Sequence, residues 1–492
     1  METTSHGPRP GAWASALACW LAAPLAHGDP THHNEVLVGG RALGMAGAAT
    51  GLADDSASVF YNPAGLATLP GSSASASFQL RALEKIEISG ALNAARLGDL
   101  EYDSSPTRAV YASAILKLGD EDANGFKRHA LAFSTVHPDQ QQLTFSGSSE
   151  QNNDFASANL SSSYDTIWTG ASYAYAVPRS WALGLSVFWA QREYSHREAW
   201  LGALGVESRD YVDPAGNPAS AFGPNQLVAS IREVNLTAHS IVARIGARFD
   251  LSDRWRLGLM LQPPGVALSA SAKVGEQRID QNIETVGAPF ATYFQSTQPT
   301  AASSPIPWEV RVGGAYTTDT FTADLDVLFH GPSGSAESPV TAVSPPAADP
   351  FFGTPPRFPF LFAPQYYTNF LVNVAVGVEG LLARVVPWSA GFFTDRSAAP
   401  QIDGPSATFA LQHVDRYGVT ASAGWRDHGY DLLIGGAYVF GSGNSLVPDR
   451  DTGGYVVSDW RERSIVFFLS GQKSALKRVA EDAKEWVEPM LQ

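Results

Sequence analysis

The sequence predicts an all-β protein: a transmembrane antiparallel β-barrel of about fourteen strands, with an N-terminal plug in its lumen and a short C-terminal helical tail. Three observations carry this. The chain is polar on average yet rich in aromatics: of 492 residues 16% are charged, 11% are Phe, Trp or Tyr, and 45 are Gly, with a mean hydropathy of −0.09. Beyond the N-terminus no apolar run approaches the roughly 18–20 residues of a membrane helix; instead apolar and polar residues alternate over stretches of about ten, bracketed by aromatics. Finally, short connections alternate with long ones, as in barrels with short periplasmic turns and long extracellular loops.

Residues 1–28 read as a secretory signal: Arg9 is the weak positive region, Trp13 to Leu25 the apolar core, and Ala26-His27-Gly28 the small-residue cleavage region. Cys19 is the only cysteine, which excludes intramolecular disulfides. Ala16-Leu17-Ala18-Cys19 faintly suggests a lipoprotein cleavage site, but Trp20-Leu21 continue the apolar core. A net charge of −15 gives no support to nucleic-acid binding and suits acidic loops facing water.

Residues 29–70 form the expected plug. From Asn34 to Leu66 the chain is dense in Gly and Ala, has no two-residue alternation and carries too many glycines for a long helix. Asp54-Asp55-Ser56 and Asn62-Pro63 are turn or helix-start signals. A compact, irregular segment with short helical turns follows, suited to packing inside something else. A phosphate-binding loop is disfavoured, because no Lys-Ser/Thr follows the glycines. The run Gly40-Arg41-Ala42, Gly44-Met45-Ala46-Gly47-Ala48, Ala53-Asp54-Asp55 and Asn62-Pro63-Ala64 resembles the N-terminal hatch of the FadL/TodX family of outer-membrane channels for hydrophobic compounds. The resemblance covers about 35 residues. It implies a Gram-negative outer-membrane location, and hatch or gate roles for Gly40, Arg41, Gly44, Gly47, Asp54, Asp55, Asn62, Pro63 and Ala64. It also implies release of ligand by movement of about Asp29 to Arg41, with a sideways exit through the wall.

The barrel is expected over 71–471, with strands near 73–83, 106–118, 127–137, 164–177, 180–194, 236–250, 254–272, 306–317, 320–330, 367–380, 384–396, 412–427, 429–441 and 461–471. Trp181, Leu183, Leu185, Val187 and Trp189 share one face; Phe321, Ala323, Leu325, Val327 and Phe329 share another, and so do Tyr417, Val419, Ala421, Ala423 and Trp425. Trp and Tyr at both ends of a lipid-facing stripe mark the two membrane interfaces. Long loops are expected at about 84–105, 138–163, 195–235, 273–305, 331–366, 397–411 and 442–460. Residues 472–492 read as a periplasmic tail, with Leu476, Val479, Ala480, Ala483, Trp486 and Val487 at helical spacing. It would cap the mouth, lie on the inner leaflet or bind a periplasmic partner.

No catalytic constellation is visible, so no enzymatic activity and no cofactor are expected. His32-His33 lack a third metal ligand and read as a solvated pair. If the apolar faces meet lipid, then Arg244, Arg248, Arg256, Glu309, Arg311, Asp324, Asp326 and Glu379 point inward. They would anchor the plug, or, for Arg244, Arg248 and Arg311, meet a ligand carboxylate. The loop carrying Phe351, Phe352, Phe358, Phe360 and Phe362 is an apolar patch suited to capturing ligand, or to packing over the mouth. The resemblance thus implies a monomeric channel for passive uptake of hydrophobic small molecules, such as long-chain fatty acids or aromatic hydrocarbons, embedded in outer-membrane lipid. The alternative on the same scaffold is an accessory barrel of a secretion system that binds protein partners.

Overall fold

The structure, a computed structural model, describes residues 31–33, 36–89, 100–103, 107–121, 126–151, 154–177, 180–204, 207–212, 218–223, 226–282, 290–300, 304–333, 368–382, 385–402, 412–427, 430–448 and 455–474. The expected signal, the helical part of the tail from residue 475 and most of the Phe-rich loop lie outside them.

In chain order the strands are β1 (Ser73–Ile88), β2 (Leu100–Asp103), β3 (Thr107–Leu118), β4 (His129–Gln151), β5 (Asp154–Val177), β6 (Trp181–Leu204), β7 (Glu207–Val212), β8 (Pro218–Gly223), β9 (Gln226–Asp250), β10 (Trp255–Gln262), β11 (Val266–Asn282), β12 (Phe290–Thr300), β13 (Glu309–Thr317), β14 (Phe321–His330), β15 (Leu371–Leu382), β16 (Val386–Asp395), β17 (Gln412–Asp427), β18 (Tyr430–Pro448) and β19 (Tyr455–Ser474). Fourteen of them, β1, β3 to β6, β9, β10 and β13 to β19, pair antiparallel in sequence order. β19 returns to β1 with Ser73 opposite Ser474, which closes the barrel and leaves no sheet edge inside the bilayer. Each of the fourteen expected strands has its counterpart here.

The alternation along β6 shows why these residues make wall. Trp181, Leu183, Leu185, Val187 and Trp189 are exposed, whereas Ala182, Ser186, Phe188 and Ala190 are buried. An exposed row of that apolarity recurs on β10 with Trp255, Leu257, Leu259 and Leu261 and on β19 with Ile465, Phe467 and Leu469. Such a continuous apolar outer surface is stable against hydrocarbon and not against water. At the short-turn end Trp181, Trp255, Phe321 and Tyr430 begin their strands, Trp425 lies two residues from the end of β17, and together they form an aromatic girdle at one interface.

Four expected long loops are instead largely sheet, the last being 442–460, most of which is the paired ends of β18 and β19. Residues 138–163 continue β4 into β5, most of 195–235 continues β6 into β9 with β7 and β8 as a separate hairpin, and most of 273–305 is β11 and β12. β5 and β6 have 24 residues each, roughly 80 Å of strand against the 9–11 residues a tilted strand needs to cross a bilayer, so much of their length stands outside it. Apolar alternation could not reveal these extensions, because Gln140-Gln141-Gln142 and Ser161-Ser162-Ser163 have no lipid to face. The expected strand 254–272 is also broken. β9 pairs with β10 through its lower half and with β11 through its upper half. Pro263 and Pro264, which lack N–H donors, lie between the two pieces. Finally, β19 runs to Ser474, so the first residues assigned to the tail are wall.

Candidate functional site

Residues 36–69 are packed inside the barrel, and their backbone follows its inner wall around. Gly40 lies against Ser470 of β19, Gly44 against Ser389 of β16 and Ser422 of β17, and Met45 against β15 and β16. Thr50 and Gly51 then reach β10 and β13, and Asn62 and Pro63 reach β6 and β9. Three pairs of wall glycines, each directly opposite across a ladder, make room for this path: Gly377 with Gly391, Gly258 with Gly313, and Gly184 with Gly246. A Cβ at Gly184 or Gly246 would overlap Pro63 or Asn62, and one at Gly313 would overlap Gly51. Gly47, at φ 83°, turns the chain after the helical turn Gly40–Gly44 and suits a residue without a Cβ.

The step Asn62-Pro63-Ala64 shows how the local sequence sets the geometry. Asn62 precedes proline and is extended, with φ −161° and ψ 97°. Its Oδ1 accepts from the Ala64 amide at 3.2 Å, which caps the 3-10 helix Pro63–Thr68. Its Nδ2 donates to Thr50 O and Ala247 O, each at 3.0 Å. One side chain thus joins two parts of the plug and the wall.

Charged wall residues hold the rest. Asp326 accepts from the amides of Ala49 at 3.0 Å and Thr50 at 2.8 Å, and Asp324 from that of Leu52 at 3.0 Å. Arg248 donates to Leu52 O at 3.0 Å, Ala53 O at 3.2 Å and Thr68 Oγ1 at 2.9 Å. Near the short-turn end Arg41 pairs with both Asp54 and Glu379, and Arg256 reaches Asp54 at 3.3 Å. Beside them Asp55 accepts from the Ala57 amide at 3.0 Å; burial pushes its carboxyl up to about 6 against the opposing pull of Arg41. Arg248 is therefore occupied by the plug, and Arg256, Asp324, Asp326 and Glu379 share that anchoring role.

Above the plug lies a small cavity whose lining includes His33, Phe60, Pro138, Trp168, Arg192, Arg244, Ile306, Glu309 and His330. Phe60 and Trp168 line it with ring centroids 5.9 Å apart, and Phe188 packs on Trp168 at 5.6 Å. Ile306 reaches it because residues 304–308, between β12 and β13, turn inward: Gly265 N donates to Ile306 O and Gln262 Nε2 to Pro307 O, both at 3.0 Å. Arg244 lies 3.8 Å over the Phe60 ring and donates to Glu309 at 3.0 Å, and Arg311 pairs with the same Glu309. The expected solvated pair His32-His33 is buried instead: His32 Nε2 contacts Val414 O at 2.8 Å, and His33 stacks on His330 at 4.2 Å. Burial pulls His33 down to about 4, so it is neutral at ordinary pH. The described residues contain no group of three or more His, Cys, Asp or Glu that could hold a metal.

The cavity also meets the wall. β4 pairs with β3 from His129 up to Val136, opposite Tyr111, and beyond a register break at His137-Pro138 it pairs with β5 alone among the described residues. Pro138 and Asp139, just past the point where the ladder ends, line the cavity. Phe60, Trp168, Arg192 and the inward-turned residues 304–308 were not legible as site residues in the sequence. Arg192 carries the one available signal, a charge on the inward register of β6. Phe351, Phe352, Phe358, Phe360 and Phe362 lie outside the described residues.

No protein-family model and no curated protein matches the sequence. Solved structures do match. A Pseudomonas aeruginosa FadL homologue is 14% identical, with 91% of this chain and 99% of that one covered and a TM-score of 0.55. The Pseudomonas putida toluene transporter TodX is 11% identical, with 89% and 98% covered and a TM-score of 0.54. The Ralstonia pickettii toluene transporter TbuX is 11% identical, with the same coverage and a TM-score of 0.51. Identities this low carry architecture and no more, and over nearly the whole chain the architecture is shared: this protein has the fold of the FadL and TodX channels, a closed fourteen-stranded antiparallel β-barrel.

Proposed function

We propose that this barrel is a channel for passive uptake of hydrophobic small molecules across the outer membrane, with residues 29–70 acting as its hatch. The observation that carries the reading is the lumen cavity: lined by aromatics, with residues 36–69 packed below it, and bordered at Pro138 by the point where the β3–β4 ladder ends and β2 lies against β4. A solute entering from the loop side meets Phe60, Trp168 and Ile306 and finds the path down obstructed by Arg41, Asp54 and Glu379. The way out that keeps it from water is sideways, between β3 and β4 into the hydrocarbon layer. His33 lines the same cavity, which supports a reading in which displacement of the N-terminal part of the hatch reshapes the site. The Phe-rich loop at 350–367 would supply first capture. A concentration gradient drives such transport, so no nucleotide or redox group is needed.

The reading is supported by the fold shared with a FadL homologue and with two toluene transporters. The test is uptake of radiolabelled oleate and of toluene by cells lacking their own hydrophobic channels, with and without this protein. Accelerated entry of either at low concentration is the expected result. Equal rates with and without the protein, at confirmed outer-membrane expression, would overturn the proposal.

A further inference from the structure

A second pocket opens at the short-turn end, between the plug and strands β15 to β19. Its lining is mixed: Pro387, Trp388 and Leu433 are apolar, and Asp54, Asp55, Glu379 and Asp431 are acidic. The basic side chains there are already taken. Arg41 pairs with Asp54 and Glu379, Arg256 reaches Asp54 at 3.3 Å, and Arg426 holds Asp431 at 2.9 Å. Asp55 is different. It is half-buried, stands beside Asp54 and Glu379, and accepts from the Ala57 amide at 3.0 Å, but among the described residues no basic side chain forms an ion pair with it. A carboxylate crowded by like charge gains from a further cation.

The chain itself brings one to this place. β19 lines the pocket with Ser470 and Gln472 and ends at Ser474. Gln472 stands opposite Ser75 of β1, and Ser75 Oγ donates to Ser56 Oγ at 2.6 Å, one residue from Asp55. Residues 475–492 follow, beginning Ala475-Leu476-Lys477-Arg478. Three residues of extended chain span roughly 10 Å, so position 477 is within reach of a pocket that starts at Gln472. On a helix Leu476, Val479, Ala480 and Ala483 share one stripe; Lys477 borders it, and Arg478 lies on the opposite side.

We infer that this pocket is the docking site of the chain's own C-terminal segment, residues 475–484, with Leu476, Val479, Ala480 and Ala483 against Trp388 and Leu433 and with Lys477 as the ion partner of Asp55. The segment supplies both chemistries the lining calls for, in the order the pocket meets them. Gly40 and Arg41 line the same pocket, so the docked segment lies directly under the first helical turn of the plug. The inference goes beyond the channel reading and holds whatever solute the barrel carries.

The experiment uses the purified full-length protein at pH 7.5 and has two readouts. Hydrogen exchange followed by mass spectrometry measures the amides of residues 477–484, and a zero-length carbodiimide reagent joins a lysine to a carboxylate only where the two are in contact. In wild type the segment is expected to exchange about tenfold more slowly than an unstructured chain of the same sequence, and Lys477 should be coupled to Asp55. Lys477→Glu and Asp55→Asn should each remove most of that protection, whereas Arg478→Glu, a reversal of the same charge one residue on, should change it less than about twofold. A heat-modifiability shift on a gel shows that each variant retains its barrel. A wild-type segment that exchanges like free chain overturns the inference. So does protection that survives both Lys477→Glu and Asp55→Asn, which is the result for a tail lying on the membrane surface or on another protein, and so does an equal loss from Lys477→Glu and Arg478→Glu.

Discussion

Asn62 donates from Nδ2 to the Ala247 carbonyl of β9 at 3.0 Å, beside the notch made by Gly184 and Gly246. It is a single hydrogen bond between plug and wall, and the same side chain caps the next helical turn. Replacing Asn62 by Ala removes the cap and leaves the Ala64 amide unanswered. The expected cost is about 1 kcal/mol of local plug stability, with the barrel intact. Heat-modifiability should be unchanged, while amide exchange over residues 57–68 should quicken and sensitivity to bulky antibiotics should rise. Wild-type exchange and sensitivity would show that the step holds nothing.

The notches themselves can be filled. Gly313 faces the plug and Gly314, its neighbour, has open space around it. Gly313→Ala forces a Cβ into the Gly51 backbone and is expected to cost about 1–3 kcal/mol of plug packing. Gly314→Ala should be silent. Side-by-side hydrogen exchange of residues 45–53 in the two variants checks this, and equal behaviour would refute it.

The lipid belt makes a depth prediction. Trp181 and Trp189 are exposed on one face of β6, eight residues apart. That is roughly 26 Å of strand, or about 20 Å along the membrane normal once tilted. Single-Trp variants in vesicles with depth-graded quenchers should place both rings in lipid, at opposite interfaces. A ring that responds only to an aqueous quencher would contradict the placement.

Asp55 gives a pH dependence. Its carboxyl titrates near 6 in the packed plug against 3.8 ordinarily. The packed state therefore binds the proton more tightly, and this contribution to plug stability is fully present below about pH 3.8 and is lost as pH rises through 6. Exchange of plug amides, corrected for intrinsic rates, should be slower at pH 5 than at pH 7.5. Asp55→Asn should flatten the difference, and a profile unchanged by that substitution would remove Asp55 as its source.

The strands were legible where the solvent on one side is hydrocarbon, because only there does a wall need a strict apolar register. Leu183 and Leu185 reveal β6 in this way; Arg192 and His196, further along the same strand, face no lipid and hid its continuation. The plug residues were legible as a motif, and the inward register of Arg244, Glu309, Asp324 and Asp326 followed from the strands. The cavity was not. It is assembled from Phe60, Trp168, Arg192 and Ile306, which lie on four separate segments, and Ile306 reaches it only because two prolines break a strand more than forty residues earlier. The glycine pairs were invisible for a related reason: each is two ordinary strand glycines until the register sets them opposite one another.

A belt of contacts running from β19 to β6 also constrains how the molecule can be made. Residues 36–69 are synthesised before any wall strand, yet their seats are shared among strands hundreds of residues apart. If the seam between β1 and β19 were zipped first, the notches would be left empty and the plug stranded outside its own cylinder. An assembly order that leaves this seam open until the later strands have folded over the N-terminal segment would fill each notch as it forms, so that the wall is cast around its core.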